Sequence, residues 1–583
     1  MQSASRYLEQ ERQQSIARYC VILSLWGVIL GSMAVIAALY VSVHYYLSVP
    51  FEDQWAVIEE LRSNHGTYSL PLVWSLHNEH RQPIARLLMM ADLYWFRGQN
   101  ISLYLEIYAV QILEWFILLW AMWRGALWPR WMFTVGSGLA AFALFWTSQH
   151  QTFLNPLGVG IVPAPAFGAI AFIAMMFTLE DSKHAGKWFA LSLISPMISE
   201  ASLANGLLIW PLLILMAIRF RLRWQWIAIL IPVAAISIAA YMIGYSNHEG
   251  HANPAESLHK PVLLLGYLVI YFGSLWGSLN KVVGELIAVC GMAAASVCYV
   301  WELFRRRGKP FAFAMISTCA FLLGTGFVTA LGRINFPLEQ AASSRYQTTS
   351  LLFWLCLALY GIDTAYRHRT RSAMFASAFA LMVVTAALPS YPYTLEGAEE
   401  LGNRIPAGAL PLFADVKDDA EIAKLIVPPD QVFLERQFLK DHHTAFYADK
   451  RYELLGKVLT SQFKLAPPNR CFGSFDKERR IADPHFPGWE MEGWAWDHHE
   501  SRPLSLLVAV SHDGVISGVG DSGIARPDVP AVNKDVVDAR VGWKVYLQGQ
   551  AAAQPEVKVY GVVDAGKQVC LVTPAFSLPK PKP

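Results

Sequence analysis

Residues 50–100 read PFEDQWAVIEELRSNHGTYSLPLVWSLHNEHRQPIARLLMMADLYWFRGQN, a polar stretch set between two strongly apolar segments. It opens on the acids Glu52 and Asp53, carries His77-Asn78-Glu79-His80-Arg81 in its middle, and closes with Arg86 and Asp92. So many ionisable groups directly after a membrane span are costly unless they face water or line a site. After the cluster, Ile84, Leu87, Leu88, Ala91, Tyr94 and Trp95 fall on one arc at helical spacing, with Gln82, Arg86 and Arg97 opposite. That pattern predicts a helix lying in the membrane interface, one face in lipid and one towards water. The whole stretch reads as two interfacial helices carrying an active site.

The chain around it has the composition of a polytopic helical membrane protein. Of its 583 residues 54% are hydrophobic and 16% charged, where a soluble chain would hold about a quarter charged. Apolar runs fall near 19–47, 103–123, 131–147, 159–179, 187–199, 203–219, 224–245, 284–304, 311–331, 346–366 and 373–390, about eleven spans in all. The first is too long for a signal-peptide core and is read as a retained span. Lys and Arg gather on cytoplasmic loops. Arg6, Arg12 and Arg18 therefore place residues 1–18 inside, together with Arg124, Arg130, Lys183, Lys187 and Arg219 to Arg223. If a further apolar run, 261–277, crossed the membrane, Arg305-Arg306-Arg307-Gly308-Lys309 and Arg367 to Arg371 would lie outside. Read as a re-entrant or interfacial helix it returns both clusters to the cytoplasm and leaves the carboxyl terminus outside. The first long loop, Ser148 to Gln151, Ser199-Glu200, Ser246 to Lys260 and Gly332 to Tyr346 then share the outer face, which becomes the working face.

From Tyr391 the composition turns soluble. Residues 391–468 read as a helical and irregular connector, 469–577 as short alternating strands of an antiparallel β-sandwich, and 578–583 as a disordered tail. Among seven cysteines, five lie in apolar runs and only Cys471 and Cys570 in polar sequence. The two bracket the strand region on the side where disulfides persist, so a Cys471–Cys570 bridge is expected. The net charge of +2 names no partner, and no nucleic acid is expected.

Three constellations carry chemistry. An acid at a helix start suits the helix dipole, yet Asp53, with Glu52 beside it, also sits where a carboxylate reaches both a lipid-borne leaving group and an aqueous hydroxyl. Sugar transfer to a hydroxyl needs such a base, and a phosphate leaving group needs no second acid. His77, Asn78, Glu79, His80 and Arg81 read either as a solvated helix start capped by Asn78 or as a polar wall of the site, with Glu79 and Arg81 fixing donor or acceptor. Their spacing matches no strong metal signature. Asp92 pairs with Arg86 or Arg81, or joins Arg86 on the substrate. Arg333 and Arg345, the latter followed by Tyr346, either snorkel to lipid phosphates or clamp a donor phosphate with their planar guanidinium groups.

In PFEDQW, HNEHR with Arg86 and Asp92, ASLANGLLIWP at 201–211, and GR with SRY at 332–346, the chain resembles the GT-C superfamily of integral membrane glycosyltransferases over roughly residues 19–390. The resemblance implies a bacterial inner-membrane enzyme that takes sugar from a polyprenyl-phosphate donor and passes it to an envelope glycan or glycolipid, such as lipopolysaccharide, on the periplasmic face. It implies Asp53 as the base, Glu52 as its substitute, and no required metal. The acids here are adjacent rather than spaced Asp-x-Asp, and a divalent ion is the alternative. GWAWD at 493–497 and VYGV at 559–562 look like a β-sandwich appended to some envelope glycosyltransferases, whose Trp489, Trp494, Trp496 and Trp543 either stack on sugar or form core. Competing readings are an O-antigen ligase or polymerase, which would need a larger late loop, and a transporter, which would show internal repeats and charges at mid-membrane.

Overall fold

The computed structural model describes residues 2–246, 254–306, 308–504, 506–549 and 556–576. Arg307, residues 247–253 of the loop after Ser246, and the tail 578–583 lie outside the described residues. The chain divides into two compact units: Met1–Tyr46, Tyr68–Met90 and Ser102–Glu400 in the first, Leu47–Thr67, Ala91–Ile101 and Leu401–Pro583 in the second. The stretch that opened the sequence reading is thus shared between them.

The first unit is helical. Among the described residues nine helices are long and apolar enough to cross a membrane, from Gln10–His44 to Thr370–Phe413. Two runs read as spans, 187–199 and 203–219, form the helices Ala185–Glu200, of 16 residues, and Ala204–Arg219. Both fall short of the roughly 20 residues a full crossing takes. Helix Gln2–His44 lies back to back with Arg130–Phe145, close enough that a Cβ on Gly138 would sit 2.1 Å from the Gly27 oxygen. Small residues permit such crossings where no hydrophobic effect pulls helices together.

Loops read as facing one side meet at one end of this unit. Arg219 Nε donates to Glu302 O at 2.9 Å, Arg305 pairs with Glu302 at 3.1 Å, and Trp128 Nε1 donates to Asp363 Oδ1 at 3.0 Å. At the opposite helix ends, Ser257 Oγ donates to Leu331 O at 2.9 Å and Gln151 N–H to Ser344 Oγ at 3.1 Å. Helix Pro261–Gly277 begins next to Ser257, and Trp276, near its finish, donates to Val383 O at 3.2 Å. Both its ends therefore lie near the Leu331 end of the unit, the arrangement the charge distribution called for. Helix Ile101–Trp120 buries one ionisable group, Glu114, together with the amide of Gln111.

In the second unit, helix Gln54–Ser63 buries Trp55, Val57, Ile58 and Leu61. It is joined to helix Pro429–Asp441 by Arg62 Nε to Glu435 at 2.6 Å and Gln431 to Glu59 at 2.7 Å. An interfacial helix was expected here; the ion pair and the buried stripe instead dock it on protein.

The first unit also holds the strands β1 (Leu76–His77) and β2 (His80–Arg81). In the second unit nine strands form one sheet: β3 (Lys464–Leu465), β4 (Cys471–Ile481), β5 (Gly488–Asp497), β6 (Arg502–Pro503), β7 (Leu506–Ser511), β8 (Ile516–Ile524), β9 (Gly542–Gln548), β10 (Val557–Val563) and β11 (Gln568–Phe576). Their order is β3-β11-β10-β7-β8-β9-β5-β4, with β6 beside β5. All pairs are antiparallel except β3 with β11. The expected two-layer sandwich is thus a single sheet curled into a half-barrel around its own core. Curling is eased where side chains are missing: a Cβ on Gly493 or Gly520 would lie 2.0 Å from a neighbouring strand's carbonyl. Trp489, Met491, Trp543, Val545, Leu507 and Val559 fill the concave side, alternating with outward residues as the pleat requires. Trp489, Trp496 and Trp543 are core, not sugar platforms. Cys471 of β4 and Cys570 of β11 are joined by a disulfide, their Cα atoms 5.7 Å apart.

On the outward side Lys544 is buried between acids, 2.6 Å from Glu490, 2.9 Å from Glu492 and 3.4 Å from Glu421. Burial opposes its charge, but the bonds from Glu490 and Glu492 outweigh it and hold the ammonium above its ordinary pKa. Lys544→Ala would leave these carboxylates buried without their shared cation. It is expected to cost about 3 kcal/mol in chemical unfolding of the full chain, with Lys544→Arg recovering most of the loss.

Candidate functional site

The motif His77-Asn78-Glu79-His80-Arg81 is a tight hairpin rather than a helix start. His77 of β1 pairs with His80 of β2 and Leu76 with Arg81. Asn78 takes the turn at φ 53°, a left-handed conformation Asn tolerates better than most residues. The turn holds Glu79 up between two basic side chains. His80 Nε2 lies 3.6 Å and Arg333 4.0 Å from Glu79 Oε1. Ala204 N–H donates to His80 Nδ1 at 3.3 Å, so Nε2 carries the proton and faces the carboxylate.

Two arginines at this hairpin bond main-chain carbonyls. Arg81 is buried; its Nε donates to Tyr241 O at 2.8 Å, and its terminal nitrogens to the carbonyls of Trp74 and Ile243. Its own N–H donates to the Tyr241 hydroxyl at 3.1 Å. Arg86, expected to face water, is 2% exposed and donates to Ser75 O at 2.6 Å. A guanidinium aimed at backbone carbonyls fixes loops that have no regular ladder of their own.

The loop from Arg333 to Tyr346 comes to the same end of the unit. Arg333 lies over Phe336 and Arg345 over Tyr346, centroid distances 5.4 and 5.5 Å. Tyr346 stacks on Tyr271 of helix Pro261–Gly277 at 5.1 Å. Ser344 Oγ donates to Ser148 O at 2.7 Å, and Arg345 N–H to Gln151 Oε1 at 3.3 Å. Glu200, read from sequence only as part of an outer segment, is buried and accepts from Trp210 Nε1 at 2.9 Å and from Ser237. It braces the helix from which Tyr241 holds Arg81. No local pattern marks it, since its partners are 10 and 37 residues away.

Glu52, Asp53 and Asp92 belong to the second unit. Asp53 precedes helix Gln54–Ser63, is exposed, and makes no side-chain capping bond. Glu52 has φ 52° and is half-buried, its N–H donating to Leu425 O at 3.0 Å. Asp92 is buried and accepts from Asn100 N–H at 2.8 Å, an arrangement that closes the loop after helix Pro83–Trp95. Among the described residues no group of three or more His, Cys, Asp or Glu side chains is placed to hold a metal ion. No protein-family model, curated protein or solved structure matches this chain.

Proposed function

We propose that the chain is a membrane glycosyltransferase, moving a sugar from a polyprenyl-phosphate donor to an envelope glycan or glycolipid on the periplasmic face of a bacterial inner membrane. The observation that supports it is the meeting of Glu79 with Arg333, residues of the first and the late outer loops, in a cluster that also draws in His80. In the proposed reaction an acceptor hydroxyl attacks the anomeric carbon as the bond to the donor phosphate breaks. Asp53 takes the hydroxyl proton, with Glu52 as its alternate. Arg345 and Arg333 stabilise the departing phosphate, the group on which charge grows. Glu79 and His80 hold Arg333 and bind sugar hydroxyls alongside His77. Arg81, Arg86 and Asn78 keep the hairpin in place, and Tyr346 keeps Arg345 in place.

The test is transfer of labelled sugar by the purified chain in vesicles containing synthetic polyprenyl-phosphate sugars and a glycan acceptor. Arg345→Ala should raise the donor KM roughly 10- to 100-fold, the worth of a hydrogen bond to a charged group, and Arg345→Lys less. Unchanged donor KM in Arg345→Ala would return that arginine to an ordinary snorkelling role. Buried Glu114 favours one other reading, transport of a lipid-linked sugar, since a mid-span carboxyl commonly marks a path. That reading expects Glu114→Gln to abolish flipping by a chain that shows no transfer at all.

A further inference from the structure

The outward face of the curled sheet carries a cavity. Leu507, Ala509, Val557 and Val559 of β7 and β10 point into the core, so the pleat turns Val510, Lys558 and Tyr560 the other way. Register sets Lys558 opposite Val510. Over these residues lies a cavity of about 280 Å³.

Its walls are pinned main chain. Residues 456–459 are held on the β7–β8 hairpin by Gly456 N–H to Ile516 O at 2.9 Å, Ile516 N–H to Lys457 O at 2.8 Å and Leu459 N–H to Gly514 O at 2.9 Å. Across the cavity β3 is held on β11, Ala466 N–H donating to Val569 O at 2.8 Å. This keeps Leu465 in the wall although it is 61% exposed. A pocket with fixed walls binds without first ordering itself.

The lining has two halves. Val458, Leu465, Val510 and the Tyr560 ring are apolar, while Thr460, His512, Glu556 and Lys558 supply donors and acceptors. His512 Nδ1 lies 3.6 Å from Glu556. Acid and base are mixed, so the lining does not select an anion. Strand β10 is hydrogen-bonded on both sides, to β7 and β11, and offers no free edge to a peptide strand. A ligand with one apolar face and a rim of hydroxyls matches both halves.

We propose that this cavity binds one neutral pyranose unit of a glycan, its C–H face on Tyr560 and Leu465 and its hydroxyls on Glu556, Lys558 and His512. The site is separate from the transferase reading and stands without it. It is tested by saturation-transfer NMR on the full chain in lipid nanodiscs, free of sugar-based detergent. The probes are the methyl pyranosides of glucose, galactose, mannose and N-acetylglucosamine. Transfer to at least one probe is expected with the wild-type chain, falling to background in Tyr560→Ala and in Lys558→Glu and kept in Tyr560→Phe. Lys558 is exposed, so Lys558→Glu carries the test should Tyr560→Ala fail to fold. No transfer to any probe in the wild type, or transfer that survives Lys558→Glu and every folded Tyr560→Ala preparation, overturns the proposal.

Discussion

Asp53→Asn is expected to lower sugar transfer by about 10²- to 10⁴-fold, the usual contribution of a positioned general base, while leaving the chain folded. The second half of that expectation rests on exposure and shape. Asp53 is exposed at the start of helix Gln54–Ser63, where the interaction of a carboxylate with the helix dipole is worth about 0.3–1 kcal/mol. An amide has the shape of the carboxylate and cannot take a proton from an acceptor hydroxyl. The measurement is initial-rate transfer in vesicles, paired with thermal unfolding of each variant. If Asp53→Asn turns over normally and Glu52→Gln does not, the base is Glu52, whose positive φ and main-chain bond to Leu425 hold it in one direction. Normal turnover in both single variants and in their double mutant removes the carboxylate mechanism altogether.

What the sequence made legible follows from how local each signal is. Long apolar runs and the Arg/Lys distribution are read off a single helix and its flanks. They were enough to read 261–277 as a helix that does not cross, and Ser257 bonds Leu331 before its start while Trp276 bonds Val383 near its finish. The hairpin at His77–Arg81 was not legible as such. Its two-residue strands have no room for alternation, and their geometry is imposed by Tyr241, which lies 160 residues away from Arg81. Helix Gln54–Ser63 misled for a related reason. An apolar stripe looks the same whether lipid or helix Pro429–Asp441 will cover it. The second layer of the sandwich failed because strand periodicity reports only that one face is buried. Whether that face meets another sheet or its own curled continuation depends on glycines such as Gly493 and Gly520, whose missing side chains matter only once the strands are paired. Of the candidate site, the pairing of Glu79 with Arg333 needed the fold, although the residue types at both ends were already conspicuous.

Removing the disulfide with Cys471→Ala and Cys570→Ala together is expected to destabilise the second unit by roughly 4–5 kcal/mol, the chain-entropy value for a loop of this size. The two cysteines are 99 residues apart in sequence and enclose nearly the whole sheet. They join β4, which ends the strand order on one side, to β11, next to β3 at the other. A Cβ on Gly473 would lie 2.7 Å from Val572 Cγ1, so β4 and β11 already touch beside the bridge without sharing a hydrogen-bond ladder. Without the bridge β4 is held by its pairing to β5, by side-chain packing and by ion pairs such as Lys477 with Glu492 and Arg479 with Asp418. Hydrogen exchange should therefore rise first in β4 and at the β3–β11 margin, and last in β9, which is paired on both sides. Alanine keeps both positions apolar, so the loss reads the cross-link and not a buried hydroxyl. The same cysteines report sidedness. In intact cells a membrane-impermeant maleimide should label neither thiol before reduction and both after it, provided the sheet opens enough to admit the reagent. A double variant that unfolds at the wild-type denaturant midpoint, with exchange in β4 unchanged, would mean that packing alone closes the half-barrel. Labelling of both thiols without reduction would mean that they stand free in the cell, and would take with it the assignment of this unit to the oxidising side.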